Sequence, residues 1–277
     1  MGAPRPEATT GLWYHPASAD WTTAEKKGFS PVNVVAVIPA RYGSTRFPGK
    51  ALAPIAGKPM VQHVFERAKA ASRVSRAVIA TDDERILQAV AGFSGDAMMT
   101  RVEHKSGTER MAEVATHVEA DIYVNVQGDE PLMDPAAIDA LIEAMTEDES
   151  VKVATICTPI SDPSEIMDPN VVKVVLDFQG DALYFTRAPA PWVRDEKEAV
   201  GQHHRKHLGL YAFRREALLE FPTLPPGELE KLEQLEQLRL LENGYKIRVV
   251  EGEFTSIGVD VPADVARVEQ ILAGQAV

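Results

Sequence analysis

The chain has 277 residues, 45% of them hydrophobic and 25% charged, a composition that suits one large or two small globular domains. Its net charge of −12 argues against nucleic acid or an anionic membrane surface as partner. The one cysteine, Cys157, excludes an internal disulfide framework and a multi-cysteine zinc site.

Residues 1–31 hold scattered Pro, Thr and Ala with Trp13 and Trp21 and no clear period. They read as a poorly ordered extension, the alternative being an element that packs back through its tryptophans. They contain no continuous apolar core of a signal peptide, and no stretch approaches the roughly 18 to 20 apolar residues of a membrane span. A cytoplasmic protein is expected.

From Val32 the pattern is regular. Val32–Ala40 is a nearly unbroken apolar run, the mark of a strand covered on both faces. A polar loop follows, and Pro59 opens a helix with Val61, Val64, Phe65 and Ala68 on one side. Ala77–Thr81 is a second buried strand, with Asp82 or Asp83 as N-cap of the next helix. Ala97–Thr100 is a short strand, Ser106 or Thr108 starts a helix, Ile122–Val126 is a strand, and Pro135 starts another helix. This alternation implies an α/β fold with a doubly wound, mostly parallel sheet. The second half changes texture. Val151–Ile160, Val171–Leu176, Ala182–Arg187 and His207–Arg214 read as strands, with a hairpin turn at Gln179-Gly180-Asp181. Leu229–Glu242 reads as one helix with leucines spaced by three, Ile247–Glu253 as a strand and Pro262–Leu272 as a closing helix.

Chemistry concentrates in a few places. The loop after the first strand carries Arg41, Gly43, Ser44, Thr45, Arg46, Gly49 and Lys50. Open α/β sheets bind ligands at this end of their strands, and glycines with cations suit phosphate oxygens. The loop is not a Walker A motif, because five residues separate Gly43 from Gly49 and Ala51 follows the lysine. The chain contains no G-x-G-x-x-G either. Asp129 and Asp260 each leave an apolar segment, and a carboxylate there suits Mg²⁺ facing a triphosphate; each alone also fits a turn or helix cap. Ser106-x-x-Glu109 fits a capping box. Cys157 sits in an apolar run and reads as a core residue rather than a nucleophile.

The segments IPARYGSTRFPGKALAPIAGKPM, ATDDERI, HKSGTERMAE, VNVQGDEPL, VVKVVLD, ALYFTRAPAPW, KHLGLYAFRREAL, LEKLEQLEQLRLLENGYKI and GVDVPADVARVE occur in this order. Together they resemble the 3-deoxy-manno-octulosonate cytidylyltransferases, the CMP-Kdo synthetases, from about Val32 to Leu272. The resemblance implies a fold of the nucleotide-diphospho-sugar transferase type, covering residues 32–277 as a single domain. A smaller mixed subregion near 160–225 would cover the sugar site and supply a homodimer face. It implies that Arg41, Ser44, Arg46 and Lys50 hold the CTP phosphates. His104, Ser106 and Gly107 would lie near cytosine and ribose. Asp129 and Asp260 would hold Mg²⁺, and Lys50 would join them in catalysis. Gln127, Arg187, His207, Tyr211 and Glu236 would line the sugar-acid pocket. Val193, Glu228 and Val261 depart from the family pattern, and Val193 touches the pocket rim. The reaction implied is attack of the Kdo anomeric hydroxyl on the α-phosphate of CTP, for lipopolysaccharide synthesis. The alternatives are a cytidylyltransferase for a related acid (an 8-amino-Kdo or a sialic-type sugar) and a non-catalytic nucleotide-sugar-binding regulator.

Overall fold

Apolar runs bounded by polar turns become strands, and the turns decide which side chains reach the ends of the sheet. The computed structural model describes residues 13–14, 32–44, 47–195 and 203–274. The first half runs β1 (Trp13–Tyr14), β2 (Val34–Ala40), β3 (Pro54–Ile55), β4 (Lys58–Pro59), α1 (Met60–Ala70), β5 (Arg76–Thr81), α2 (Glu84–Gly92), β6 (Ala97–Met99), α3 (Gly107–His117), β7 (Ile122–Asn125) and α4 (Pro135–Glu147). It continues with β8 (Val153–Pro159), α5 (Ser164–Met167), β9 (Lys173–Leu176), β10 (Ala182–Thr186), β11 (Arg205–Arg214) and α6 (Arg215–Glu220). The chain then forms α7 (Glu228–Glu233), α8 (Gln237–Glu242), β12 (Arg248–Glu251) and α9 (Pro262–Gly274).

The main sheet has the order β1-β6-β5-β2-β7-β11-β8-β12. Strands β6, β5, β2 and β7 are parallel, as the alternating pattern implies. Strand β11 enters antiparallel between β7 and β8, and β12 pairs parallel with β8. Within residues 160–225, therefore, β11 runs through the centre of the sheet, and the β9–β10 hairpin leaves it. Trp13 and Tyr14 pair with Met98 and Ala97 at the far edge. Residues 1–12 and 15–31, the rest of the expected extension, lie outside the described residues.

Alternation along β2 builds two cores. Val34, Ala36 and Ile38 face Val61, Val64, Ile138 and Leu141 of α1 and α4. Val35 and Val37 face Met111 and Ala115 of α3 and Leu218 of α6. Helices thus cover both faces, and each buried aliphatic side chain contributes roughly 1.5–3 kcal/mol. The expected helix starts hold. Asp83 caps α2 by accepting the Arg85 N–H at 2.9 Å, and Ser106 caps α3 by accepting the Glu109 N–H at 3.2 Å. The capping box closes differently, since the Glu109 carboxylate takes the Lys105 N–H at 2.8 Å. Cys157 is buried, and burial pushes its thiol up to about 12, which suits a core residue.

The single helix expected over Leu229–Glu242 is instead two. Gln234 adopts φ 53° between α7 and α8. Leucines every three residues drift around a helix of 3.6 residues per turn, so one straight helix cannot bury them all. Leu229 and Leu232 stay exposed, while Leu235 and Leu238 are buried. The break frees carbonyls, and Arg187 takes them: its Nε donates to Glu233 O at 2.8 Å and its Nη2 to Gln234 O at 3.4 Å.

A fully buried lysine ties the hairpin to this region. Lys173 Nζ donates to the carbonyls of Asp168, Val171 and Arg187 at 2.9, 2.6 and 2.8 Å. Burial pulls its ammonium below the usual lysine range, against the charges of Asp168 and Glu233. The Lys173→Met variant leaves those carbonyls unpaired at about 1–3 kcal/mol each. A fall in melting temperature of roughly 10 °C is expected in a thermal unfolding scan; an unchanged midpoint would mean that the lysine is dispensable.

Candidate active site

The basic loop after β2 is built on Tyr42. Its carbonyl accepts the N–H groups of Ser44 and Gly49 at 3.0 and 2.9 Å, which folds the loop back on itself. Its ring lies under the Arg85 guanidinium, 3.3 Å from the ring centroid, and Asp83 holds that guanidinium. Gly49 has φ 74°, and a Cβ there would stand 3.2 Å from the Tyr42 ring, so only glycine lets the loop close. Arg41, Gly43, Ser44 and Lys50 then line a cavity of 390 Å³. Arg46 lies outside the described residues.

The other wall comes from β7 and α3. Gly128 crosses the end of β2 so closely that a Cβ would meet Pro39 O at 2.5 Å. This crossing delivers Asp129 to the cavity. The Asp129 carbonyl accepts the Val259 N–H at 2.9 Å, which docks the segment before α9 beside it. Capping of that segment falls to Asp264, which accepts the N–H groups of Asp260 and Val261 at 2.8 and 2.9 Å. Those two backbone donors hold the Asp264 carboxyl below the usual range. Asp260 is thereby left to face the cavity. Lys50 Nζ sits between the two acids, 2.6 Å from Asp129 Oδ2 and 3.6 Å from Asp260 Oδ1. Two carboxylates far apart in sequence therefore converge on one cation.

That donor set fits a hard divalent ion. Mg²⁺ takes one or two carboxylates and completes its shell with phosphate oxygens and water. Among the described residues no cluster of three or more His, Cys, Asp or Glu side chains forms a closed protein cage. An ion held by these two acids would complete its shell with phosphate oxygens and water. Glu130, next in sequence, is half-buried, and desolvation of its carboxyl pushes it up to about 7, the Ser256 hydroxyl opposing and the Asp129 charge adding.

Ser106, Gly107 and Arg110, on the first turn of α3, also line the cavity. Arg110 was not expected from the sequence. It is 1% exposed, with Nη2 donating to Asp82 Oδ2 at 2.7 Å and Nη1 to the Thr100 hydroxyl. Three further N–H donors remain on a guanidinium. Its signal was an arginine on the face of α3 that also carries buried Met111 and Val114. His104 does not reach the cavity lining. Its Nε2 pairs with Glu113 Oε2 of α3. Burial alone would raise the Glu113 carboxyl, but the Arg101 N–H and His104 bring it below its usual range.

A second cavity of 300 Å³ adjoins the first, and Gln127 lines both. Gln127 is fixed by donating to Gly209 O at 3.2 Å. His207, Tyr211 and Glu236 line this cavity. Burial drives the His207 imidazole down to about 3, so the ring is neutral at physiological pH. Its Nε2 lies 3.0 Å from Thr155 Oγ1. Burial raises the Tyr211 phenol well above its usual range. Tyr211 Oη, Asn125 Oδ1 and Gln237 Nε2 are buried and find no hydrogen-bond partner among the described residues. Three such atoms in one cavity wall suit a polar ligand. Arg187 is not in the lining. Besides the α7–α8 break, its Nη1 donates to Pro169 O at 2.9 Å, so its donors go to backbone carbonyls.

A family model described as cytidylyltransferase matches residues 35–247. A 3-deoxy-manno-octulosonate cytidylyltransferase of Solibacter usitatus (strain Ellin6076) is 54% identical over 241 residues, 87% of this chain and 95% of the relative. One of Geobacter metallireducens (strain ATCC 53774 / DSM 7210 / GS-15) is 52% identical over 250 residues, covering 87% and 98%. A solved structure of CMP:2-keto-3-deoxy-manno-octonic acid synthetase complexed with CTP superposes with a TM-score of 0.84 at 46% identity, covering 88% of this chain and 99% of the other. The 4-diphosphocytidyl-2C-methyl-D-erythritol synthase of Anaerococcus prevotii DSM 20548, at 12% identity and a TM-score of 0.60, shares the fold.

Proposed function

The chain belongs to the 3-deoxy-manno-octulosonate cytidylyltransferases, and from that membership we infer that it transfers CMP from CTP to Kdo, releasing pyrophosphate. The observation that carries the reading is the meeting of two cavities at Gln127, one cationic with two converging carboxylates and one lined by unpartnered polar atoms.

Arg41, Ser44 and Lys50 bind the β- and γ-phosphates in this reading, and Arg46 belongs to the same loop. Ser106 and Gly107 approach the nucleoside, and His104 supports their loop through Glu113. Asp129 and Asp260 would hold a divalent ion, Mg²⁺ by the chemistry of the donor set, whose charge polarises the α-phosphate when bound. Across Gln127, His207, Tyr211 and Glu236 orient the sugar acid. The neutral imidazole and protonated phenol contribute hydrogen bonds rather than charge. Arg187 serves by holding the backbone that carries Glu236. In-line attack by the anomeric hydroxyl needs no protein nucleophile, and charge neutralisation with positioning supplies the acceleration.

The product would feed lipopolysaccharide synthesis, and the cytoplasm is the fitting compartment. No helix among the described residues is long and apolar enough to cross a membrane. A homodimer belongs to the same reading, supported by exposed Phe178, Leu183 and Trp192 beside the β9–β10 hairpin. Light scattering is expected to return twice the chain mass of 30.3 kDa.

Pyrophosphate release tests the reaction. With Mg²⁺, CTP and Kdo are expected to give rapid release, and ATP, UTP or a sialic acid little. Release with another acid but not with Kdo overturns the substrate; no release with any acid leaves a nucleotide-sugar-binding protein.

A further inference from the structure

The first turn of α3 faces both cavities. Ser106 and Gly107 line the nucleotide side, and the next residue, Thr108, lines the sugar side. Thr108 is 4% exposed, and its hydroxyl donates to Glu236 Oε1 across 128 positions of sequence. Glu236 is the N-cap residue of α8, where the chain restarts after the α7–α8 break. Burial raises the Glu236 carboxyl, and the Ser106 and Thr108 hydroxyls and the Arg239 guanidinium oppose that rise. Arg239 is itself committed to Glu230 by two hydrogen bonds, at 2.9 and 2.5 Å. The Ser106 hydroxyl receives the Glu109 N–H as helix cap and also bonds Glu236, so two hydroxyls of one helix start meet the carboxylate.

We propose that Thr108 is a positioning residue for the sugar acid, its hydroxyl holding the Glu236 carboxylate at the angle the sugar cavity requires. The inference rests on the functional reading above and adds a residue to which that reading gives no role. A threonine suits the place. Its β-branched side chain is buried at the first turn and has few χ1 rotamers, and the one present aims the hydroxyl at Glu236. Valine has nearly the same shape and no donor, so Thr108→Val removes the hydrogen bond and little else. With this donor gone, Ser106 is the one hydroxyl of the pair still bonded to Glu236, and a carboxylate held at one point instead of two can turn within its cavity, which weakens the sugar contact rather than the nucleotide contact.

The test compares steady-state kinetics of wild type, T108V and T108S with CTP, Mg²⁺ and Kdo, beside thermal unfolding. Loss of one hydrogen bond to a charged group predicts a rise of about tenfold in the KM for Kdo in T108V. Its KM for CTP is expected to stay within about twofold and its melting temperature within a few degrees of wild type. T108S restores the hydroxyl and is expected to restore the KM for Kdo. Four results overturn the proposal: an unchanged KM for Kdo in T108V, an equal rise for both substrates, a T108S as impaired as T108V, or a T108V chain that does not fold, which makes the hydroxyl structural. A wild-type enzyme that releases no pyrophosphate from CTP and Kdo refutes the functional reading instead, and the proposal falls with it. An active wild type with an indifferent T108V refutes this proposal alone.

Discussion

Replacing Asp129 by asparagine is expected to reduce pyrophosphate release from CTP and Kdo by about 10³-fold or more at saturating substrates, since metal-borne charge stabilisation amounts to several kcal/mol. The change keeps the shape and removes a charge at a position where Asp129, from mid-chain, and Asp260, from near the C-terminus, reach one point. Asp129 is partly exposed and its side chain supports no core contact, so the melting temperature is expected to move by no more than a few degrees. Asp260→Asn is expected to act in the same direction. The double variant is expected to be little worse than either single, because groups that act as one unit lose their function together. Single-turnover assays over a Mg²⁺ titration check this. Retention of more than a tenth of the activity in either single variant removes that acid from the ion-holding pair.

The second large effect is at Lys50. Its ammonium occupies the space between the two acids, where a divalent ion would sit. In the proposed reading, binding of ion and nucleotide would displace the ammonium toward the phosphates that its loop would hold. A cation beside a phosphate oxygen contributes roughly 4 kcal/mol at an effective dielectric near 20, less where water screens it. Lys50→Met is therefore expected to lower kcat/KM for CTP by about 10²-fold. The two substitutions separate in metal dependence. D129N is expected to weaken the apparent Mg²⁺ affinity, whereas K50M, by removing a competitor for the acids, is expected to leave that affinity equal or tighter. Mg²⁺ titrations of both variants distinguish them; a K50M enzyme that needs more Mg²⁺ contradicts this division of labour.

How much of this was legible in the sequence depended on the range of the interaction. The apolar runs of β2, β5 and β7 announce a two-sided sheet, because strands buried on both faces have no polar side to show. Pro59, Asp83 and Ser106 mark helix starts, since capping acts within one turn. The cationic loop stood out against a chain of −12. What the residues alone left open is long-range. Asp260 taken alone read more readily as a helix cap or surface group than as a metal ligand, and it is Asp264 that takes the backbone N–H groups at the start of α9. His104 and Arg187 sit in the right segments but spend their hydrogen bonds on Glu113 and on backbone carbonyls, partners 9 and 46 positions away. Arg110 was overlooked because a buried arginine resembles any helical arginine until Asp82 appears beside it. The leucines of 229–241 suggested one helix because their spacing conceals the turn at Gln234, which Arg187 stabilises from just beyond β10.

The most direct measurement is the distance between the anomeric oxygen of Kdo and the α-phosphorus of a non-hydrolysable CTP analogue in a ternary complex with Mg²⁺. About 3–3.5 Å is expected, the range of a near-attack arrangement, with the triphosphate along Arg41 to Lys50, the metal between Asp129 and Asp260, and the sugar acid against Tyr211 and Glu236. A triphosphate bound away from Lys50, or a sugar acid seated outside the cavity that Gln127 shares, contradicts it.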